Sequence, residues 1–232
     1  MGIAERRERE KAARRKNILS CTRELIMSQG VDRVSMEDIA HKAELSKATL
    51  YLYFPSKEAI FNEICEDSAR GFLEYLGQLS CAGSGITGIE AIRYLWQGYV
   101  KQFGDSDEML VVFQIRSYLA NWLPVEAPTE SRQEVEIKSP HIGAILAAIH
   151  TMIEQCKAEG IFDPGLNSSE AVRLILVLFS TILQNAASLP PEARNSPAMI
   201  KEMTNTFQII IRGFAREGIE HSRLDITCDT QR

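Results

Sequence analysis

Apolar residues recur at three- and four-residue steps from Ile18 to Phe214, and no stretch alternates convincingly at period two. That pattern predicts an all-α protein of about nine helices. A first helix is predicted over Arg6–Gly30, charged at its start, apolar at Ile18, Leu25 and Ile26, and stopped by Gly30. Ser35 suits the N-cap of a short helix reaching Ala43, with Asp38 in capping-box position and Ile39, Ala40 and Ala43 turned inward. Ser46 caps the next helix, whose apolar positions Leu50 and Phe54 lie four apart, and Pro55 ends it. Ser56 opens a third, apolar at Ile60, Phe61, Ile64 and Phe72. After a break at residues 80–88, helices are predicted at 88–104, 106–122, 140–159, 168–188 and 197–217. Asn167 and Ser196 cap the last two, and Pro197 takes the favoured first helical position. Residues 123–139 are long for an internal loop and read as mobile or functional, and the tail from Ser222 reads as frayed.

Within this helical pattern, Ser35–Glu58 has a particular layout: a short support helix, a turn at Glu44-Leu45, and two turns of a second helix. With Leu50 and Phe54 facing the core, Lys47, Ala48, Thr49, Tyr51, Leu52 and Tyr53 point outward. Short polar side chains at the start of such a helix suit base edges and phosphates in a DNA major groove. The candidate DNA-binding set is therefore Ser35, Ser46, Lys47, Ala48, Thr49, Tyr51, Leu52, Tyr53 and Lys57. Thr49 is the favoured base reader. Lys47, Tyr53 and Lys57 suit phosphate, Lys57 because it sits at a helix N-terminus. Tyr51 serves as well in half-buried packing. The arm Arg6, Arg7, Arg9, Lys11, Arg14, Arg15, Lys16 reads either as a solvated helix with i,i+4 pairs or as an extension along the DNA backbone.

Charge sharpens the division. Residues 1–60 hold 12 Lys+Arg against 9 Asp+Glu, whereas the rest hold 14 against 22, within a net charge of -5. A basic end on an acidic body excludes a general nucleic-acid coat and points only the first quarter at DNA. We expect domains at 1–58, for DNA, and 59–232, for ligand binding and dimerisation.

The run from Ile18 to Ile60 resembles the tetracycline-repressor (TetR) family of bacterial transcription regulators. It is carried by Gly30, Ser35-Met-Glu-Asp-Ile-Ala40, Ala43-Glu-Leu-Ser46, Lys47-Ala-Thr-Leu-Tyr51 and Tyr53-Phe-Pro-Ser-Lys57-Glu58. The resemblance implies an N-terminal DNA-binding domain, a C-terminal domain that binds a small ligand, and a homodimer acting on a palindromic operator, most simply as a repressor. Glu44 stands where the family generally has Gly, and Ala48 where it often has Gly. An activator, or a sequestering protein with a vestigial DNA head, is the alternative.

Beyond residue 59 the chemistry is sparser. The step of Ile200, Met203, Phe207, Ile210 and Phe214, with Ile175, Phe179 and Ile182 on the preceding apolar helix, reads as a two-fold helical interface or as monomer core. Tyr75, Trp96, Tyr99, Gln114, Tyr118 and Trp122 are candidates to line a mostly apolar pocket, so the expected effector is apolar or aromatic. Gly83-Ser-Gly85-Ile-Thr-Gly88 fits a dinucleotide fingerprint in form only, because helices flank it where a strand is required. The histidines and the five cysteines form no ligand set, so no metal and no cofactor are expected. No nucleophile–base constellation assembles, so no enzyme is expected. With a charged N-terminus, no apolar run of membrane length and no paired cysteines, a cytoplasmic protein without a membrane span is predicted.

Overall fold

The computed structural model describes residues 2–81, 85–105, 107–121, 139–194 and 196–226. Among them are nine helices of two turns or more: α1 (Ile3–Gln29), α2 (Met36–Lys42), α3 (Lys47–Tyr53), α4 (Lys57–Cys81), α5 (Gly88–Asp105), α6 (Glu108–Asn121), α7 (Pro140–Ala158), α8 (Ser168–Ser188) and α9 (Pro197–Gly213). A single turn, Pro191–Arg194, separates the last two. The only β feature among the described residues is an isolated antiparallel bridge between Phe162 and Ala215. Apart from Ser139, the predicted 123–139 loop lies outside the described residues.

The sequence caps form as expected. Ser35 Oγ accepts from Asp38 N at 3.2 Å, Ser46 Oγ from Thr49 N at 3.1 Å and Ser196 Oγ from Met199 N at 3.3 Å. Asn167 Oδ1 accepts from Glu170 N at 3.2 Å. Each side chain satisfies a backbone donor that the first helical turn leaves open.

The chain divides into two compact units. The first is Met1–Ser68 with Val111–Glu136. Its core joins Ile18 and Ile26 of α1, Ile39 and Ala40 of α2, Leu50 of α3, Phe54, and Ile60, Phe61 and Ile64 of α4 to Val111 and Ile115 of α6. The short helices could not hold themselves, since isolated helices under about 12 residues are marginal. They stand because α1, α4 and α6 surround them.

The α2–α3 turn is held by Leu45 N donating to Ala40 O at 2.9 Å and Glu44 N to His41 O at 3.1 Å. Glu44 takes φ 56°, the one positive φ among described non-glycine residues. Left-handed backbone costs an L-residue about 1 kcal/mol, partly offset by the flexibility that glycine adds to the unfolded chain. Glu44→Gly is therefore expected to leave the fold intact and to stabilise it by up to about 1 kcal/mol, read as a rise in the denaturant midpoint. A fall would mean that the Glu44 side chain contributes more than its backbone costs.

The second unit is Ala69–Leu110 with Ile137–Arg232. In it α5 packs on α7, α7 on α8, and α8 on α9. Gly88, at the start of α5, donates its N–H to Glu159 Oε1 and Oε2 at 3.1 and 2.9 Å, so a carboxylate from beyond α7 caps α5. No side chain fits at position 88, where a Cβ would lie 2.7 Å from both Cys156 N and Cys156 Sγ.

Three expectations need correction. The last long helix ends at Gly213, not residue 217, because the backbone turns to pair with the segment after α7: Asp163 N donates to Phe214 O and Arg216 N to Ile161 O, both at 3.0 Å. The tail does not fray at Ser222. Leu224 and Ile226 are buried, and Arg93 donates to Asp225 O at 2.7 Å and Arg223 O at 2.8 Å. Gln208 receives Ile226 N at 2.6 Å and donates to Leu224 O at 2.9 Å. Finally, Ser168–Ala187 has the length and apolar composition of a membrane span. Ala171, Ile175, Ile182 and Ala186 of that stretch are buried in the unit, and Leu174 and Val177 are exposed.

Candidate nucleic-acid interface

The first unit builds one outward surface with unusual chemistry. Burial of Leu50 and Phe54 fixes the rotation of α3, leaving Ser46, Lys47, Ala48, Tyr51 and Leu52 exposed and Thr49 and Tyr53 half-buried. Leu52 is 83% exposed and Tyr51 47%, a solvent-facing apolar and aromatic pair that no partner within the unit explains. The Ser46 and Thr49 hydroxyls share a hydrogen bond of 2.7 Å, which holds the Thr49 side chain in one rotamer and leaves it further acceptor capacity. Lys47 Nζ lies 3.6 Å from Glu37 Oε2 in an exposed pair that a competing anion could readily displace.

The Ser35–Asp38 capping box is complete, with Ser35 N donating to Asp38 Oδ2 at 3.0 Å and the Ser35 hydroxyl to the same oxygen at 2.5 Å. These bonds hold the Asp38 carboxyl below its ordinary range. The cap therefore keeps full strength above the usual carboxylate pKa and loses it as the pH falls through the lowered value.

Two cations are engaged internally: Lys57, read from the sequence as a phosphate contact, and Arg15, from the arm read either as a solvated helix or as an extension along the DNA backbone. Lys57 Nζ donates to Val34 O at 3.1 Å and lies 4.6 Å from the ring centre of Tyr118 and 5.8 Å from that of Phe61. It thus braces the carbonyl just before the α2 cap instead of standing open to phosphate. Arg15 binds Glu63 of α4 with two nitrogens and donates from Nη1 to Tyr53 O at 3.0 Å. Sequence reading missed this role of Arg15, and Glu63 altogether, because the partners lie 48 residues apart with no local signature. The earlier part of the arm is helical, with Arg6 and Glu10 paired at 2.8 Å.

The pocket candidates are divided between the two units. Gln114 and Tyr118 belong to the first unit, Gln114 donating to Met27 Sδ at 3.9 Å and Tyr118 meeting Phe61 edge-on at 5.6 Å. In the second unit, Trp96 and Tyr99 are buried, donating to Thr204 Oγ1 and Phe179 O, both at 3.2 Å. Burial pushes the Tyr99 hydroxyl upward, so it stays protonated. Tyr75 is half-buried against Tyr94, ring centres 4.4 Å apart. Trp122 lies outside the described residues.

The predicted dimer seam also divides. Ile175, Ile182, Met203, Phe207 and Phe214 are buried within the protomer, Phe179 packs on Tyr99 with ring centres 4.0 Å apart, and Ile200 and Ile210 are half-buried. The apolar side chains exposed on these two helices are Leu174, Val177 and Ile209. Five of the eight seam residues thus face the protomer's own core, and Phe179, Ile200 and Ile210 stay half-buried.

Comparison with known proteins agrees with the geometry. Residues 18–64 match the family described as bacterial regulatory proteins, tetR family. The chain is 42% identical over 50 residues to the uncharacterized HTH-type transcriptional regulator YvdT of Bacillus subtilis (strain 168). That match spans 22% of this chain and about a quarter (26%) of the relative. Among solved structures, the fatty acid degradation regulator FadR from Bacillus halodurans superposes with TM-score 0.66 at 17% identity, covering 88% of this chain and 97% of its own. FadR from Bacillus subtilis in complex with stearoyl-CoA gives 0.65 at 16%, covering 88% and 99%. The SmeT–triclosan complex gives 0.63 at 16%, covering 89% and 93%. At such identities the likeness is one of fold.

Proposed function

We propose that this chain, a member of the tetR family of bacterial regulatory proteins, represses transcription as a ligand-responsive homodimer on a palindromic operator. Family members regulate transcription and are not enzymes. The observation that carries the proposal is the outward face of α3, with Lys47, Ala48, Tyr51 and Leu52 exposed inside the segment that matches the family. In this reading Thr49 reads a base edge, Lys47 and Tyr53 hold phosphate, Ser35, Ser46 and Lys57 lie at the rim, and residues 1–58 form the DNA-binding part. Two such helices, one per protomer, would meet successive major grooves. The dimer contact would use the exposed Leu174, Val177 and Ile209 with half-buried Ile200 and Ile210.

The effector we infer is apolar or aromatic, bound within residues 59–232, and it favours a state in which the two heads are misspaced. The cluster of aromatic side chains in the second unit supports this, as do similarly folded proteins seen with stearoyl-CoA and triclosan. Those two molecules are the first probes.

The test is selection of binding sites from a random duplex pool, followed by gel shift. Enrichment of an inverted repeat is expected, with Thr49→Ala weakening binding to it by about 1–3 kcal/mol while random duplex is held as before. No enriched sequence would sink the DNA-reading proposal. A monomer by light scattering at micromolar concentration would sink the dimer.

A further inference from the structure

Arg15 holds three elements at one point. Its Nε and Nη2 donate to the two carboxylate oxygens of Glu63 on α4, the Nε contact at 2.6 Å. Its Nη1 donates to Tyr53 O at 3.0 Å, and its guanidinium carbon lies 4.1 Å from the centre of the Phe54 ring. Tyr53 is the last residue of α3 and Phe54 its C-cap. The Tyr53 carbonyl is one of the four that a helix end leaves without an intrahelical partner, and a cation there also opposes the negative end of the helix dipole. The group is not an open surface charge, since the Arg15 and Glu63 side chains keep 39% and 26% of their exposure.

We propose that Arg15, with Glu63, is a positioning residue for DNA reading: it fixes the C-terminal end of α3, and so the angle at which Lys47–Tyr53 are presented, and it does not contact phosphate. The shape of the side chain supports this. A guanidinium offers donors in a rigid plane that can grip a carboxylate with two and a carbonyl with a third, while its face rests on a ring. A lysine ammonium reaches one of these partners at a time. With α3 only seven residues long, a shift at its last carbonyl tilts every outward side chain.

The inference rests on the DNA-reading proposal, and its test separates the two. Duplexes selected by the wild-type protein and a random duplex serve as probes, with affinities measured across a salt series and melting followed alongside. For Arg15→Lys, which keeps the charge and loses the fork, affinity for the selected duplex should fall about tenfold or more, as when a base contact is lost. Random-duplex affinity and the salt slope should stay unchanged. Glu63→Gln removes a negative charge, so a phosphate-contacting Arg15 would bind DNA more tightly once released from it. The positioning role predicts weaker binding to the selected duplex only.

The proposal is overturned if Glu63→Gln strengthens binding or leaves it unchanged. It is also overturned if Arg15→Met lowers the salt slope by about one and weakens both duplexes equally, the mark of a lost phosphate contact. If the wild-type protein selects no sequence, both proposals fall. If it selects one and Arg15→Lys still discriminates as well, only this one does.

Discussion

Phe207→Ala is expected to cost about 3–5 kcal/mol of stability, the largest single loss predicted for this protein, without touching the outward face of α3. Phe207 is fully buried and stacks on Trp96 with ring centres 4.5 Å apart, and lies 5.8 Å from the ring of Phe179. Phe179 in turn lies 4.0 Å from Tyr99, so four rings from α5, α8 and α9 form one packed group. Truncation removes the transfer energy of a whole ring and opens a cavity that neighbouring aromatic planes cannot collapse to fill. For a protein of this size each kcal/mol moves the melting point by about 2–4 °C, so a fall of roughly 6–20 °C is expected. Protein concentration must be held fixed, because the melting point of the proposed dimer would depend on it. A shift under about 2 °C would mean that the ring group is looser than its centre-to-centre distances imply.

Gly88→Ala ranks second, with an expected cost of about 2–3 kcal/mol from a single added methyl group. The added Cβ would stand 2.7 Å from Cys156 N and 3.0 Å from Met152 O, both backbone atoms of α7 that cannot swing aside. Relief requires α5 and α7 to separate, which also stretches the contact between Gly88 N and Glu159. Gly143→Ala in α7, with nothing within 4 Å of its added Cβ, is the control and should be neutral or stabilising. Denaturant midpoints of the two variants against wild type decide the matter. Equal midpoints would show that the α5–α7 approach tolerates a methyl group.

The Gly88 case shows what the sequence could and could not reveal. A Gly-rich run between helices was legible as something other than a nucleotide loop, but the reason for Gly88 lies 68 residues away at Cys156. The caps at Ser35, Ser46, Asn167 and Ser196 were legible because their partners are three residues on. Helix faces were legible because burial follows the 3.6 period. What a face meets was not: Met203 and Phe207 show the same periodicity whether they fill their own core or a partner's. The long-range polar contacts were hidden for the same reason. Lys57 reached Val34, Arg15 reached Glu63 and Glu159 reached Gly88, and each residue type at its position reads equally well as a solvated surface charge. On α3 the outward set was legible and the braces behind it were not.

The docked C-terminal segment sets an order in time. Arg93 grips carbonyls 130 and 132 residues later in the chain, and Leu224 and Ile226 cover apolar surface of the second unit. At about 5–20 residues per second of synthesis, α5 emerges from the ribosome roughly 7–26 seconds before the segment that completes its packing. Among the described residues, the first unit's core reaches no further along the chain than α6, whose Tyr118 and Leu119 pack against it. Until the C-terminal segment emerges, the nascent second unit lacks the cover that Leu224 and Ile226 supply, and chain termination before residue 224 is expected to leave Arg93 and Gln208 without these partners.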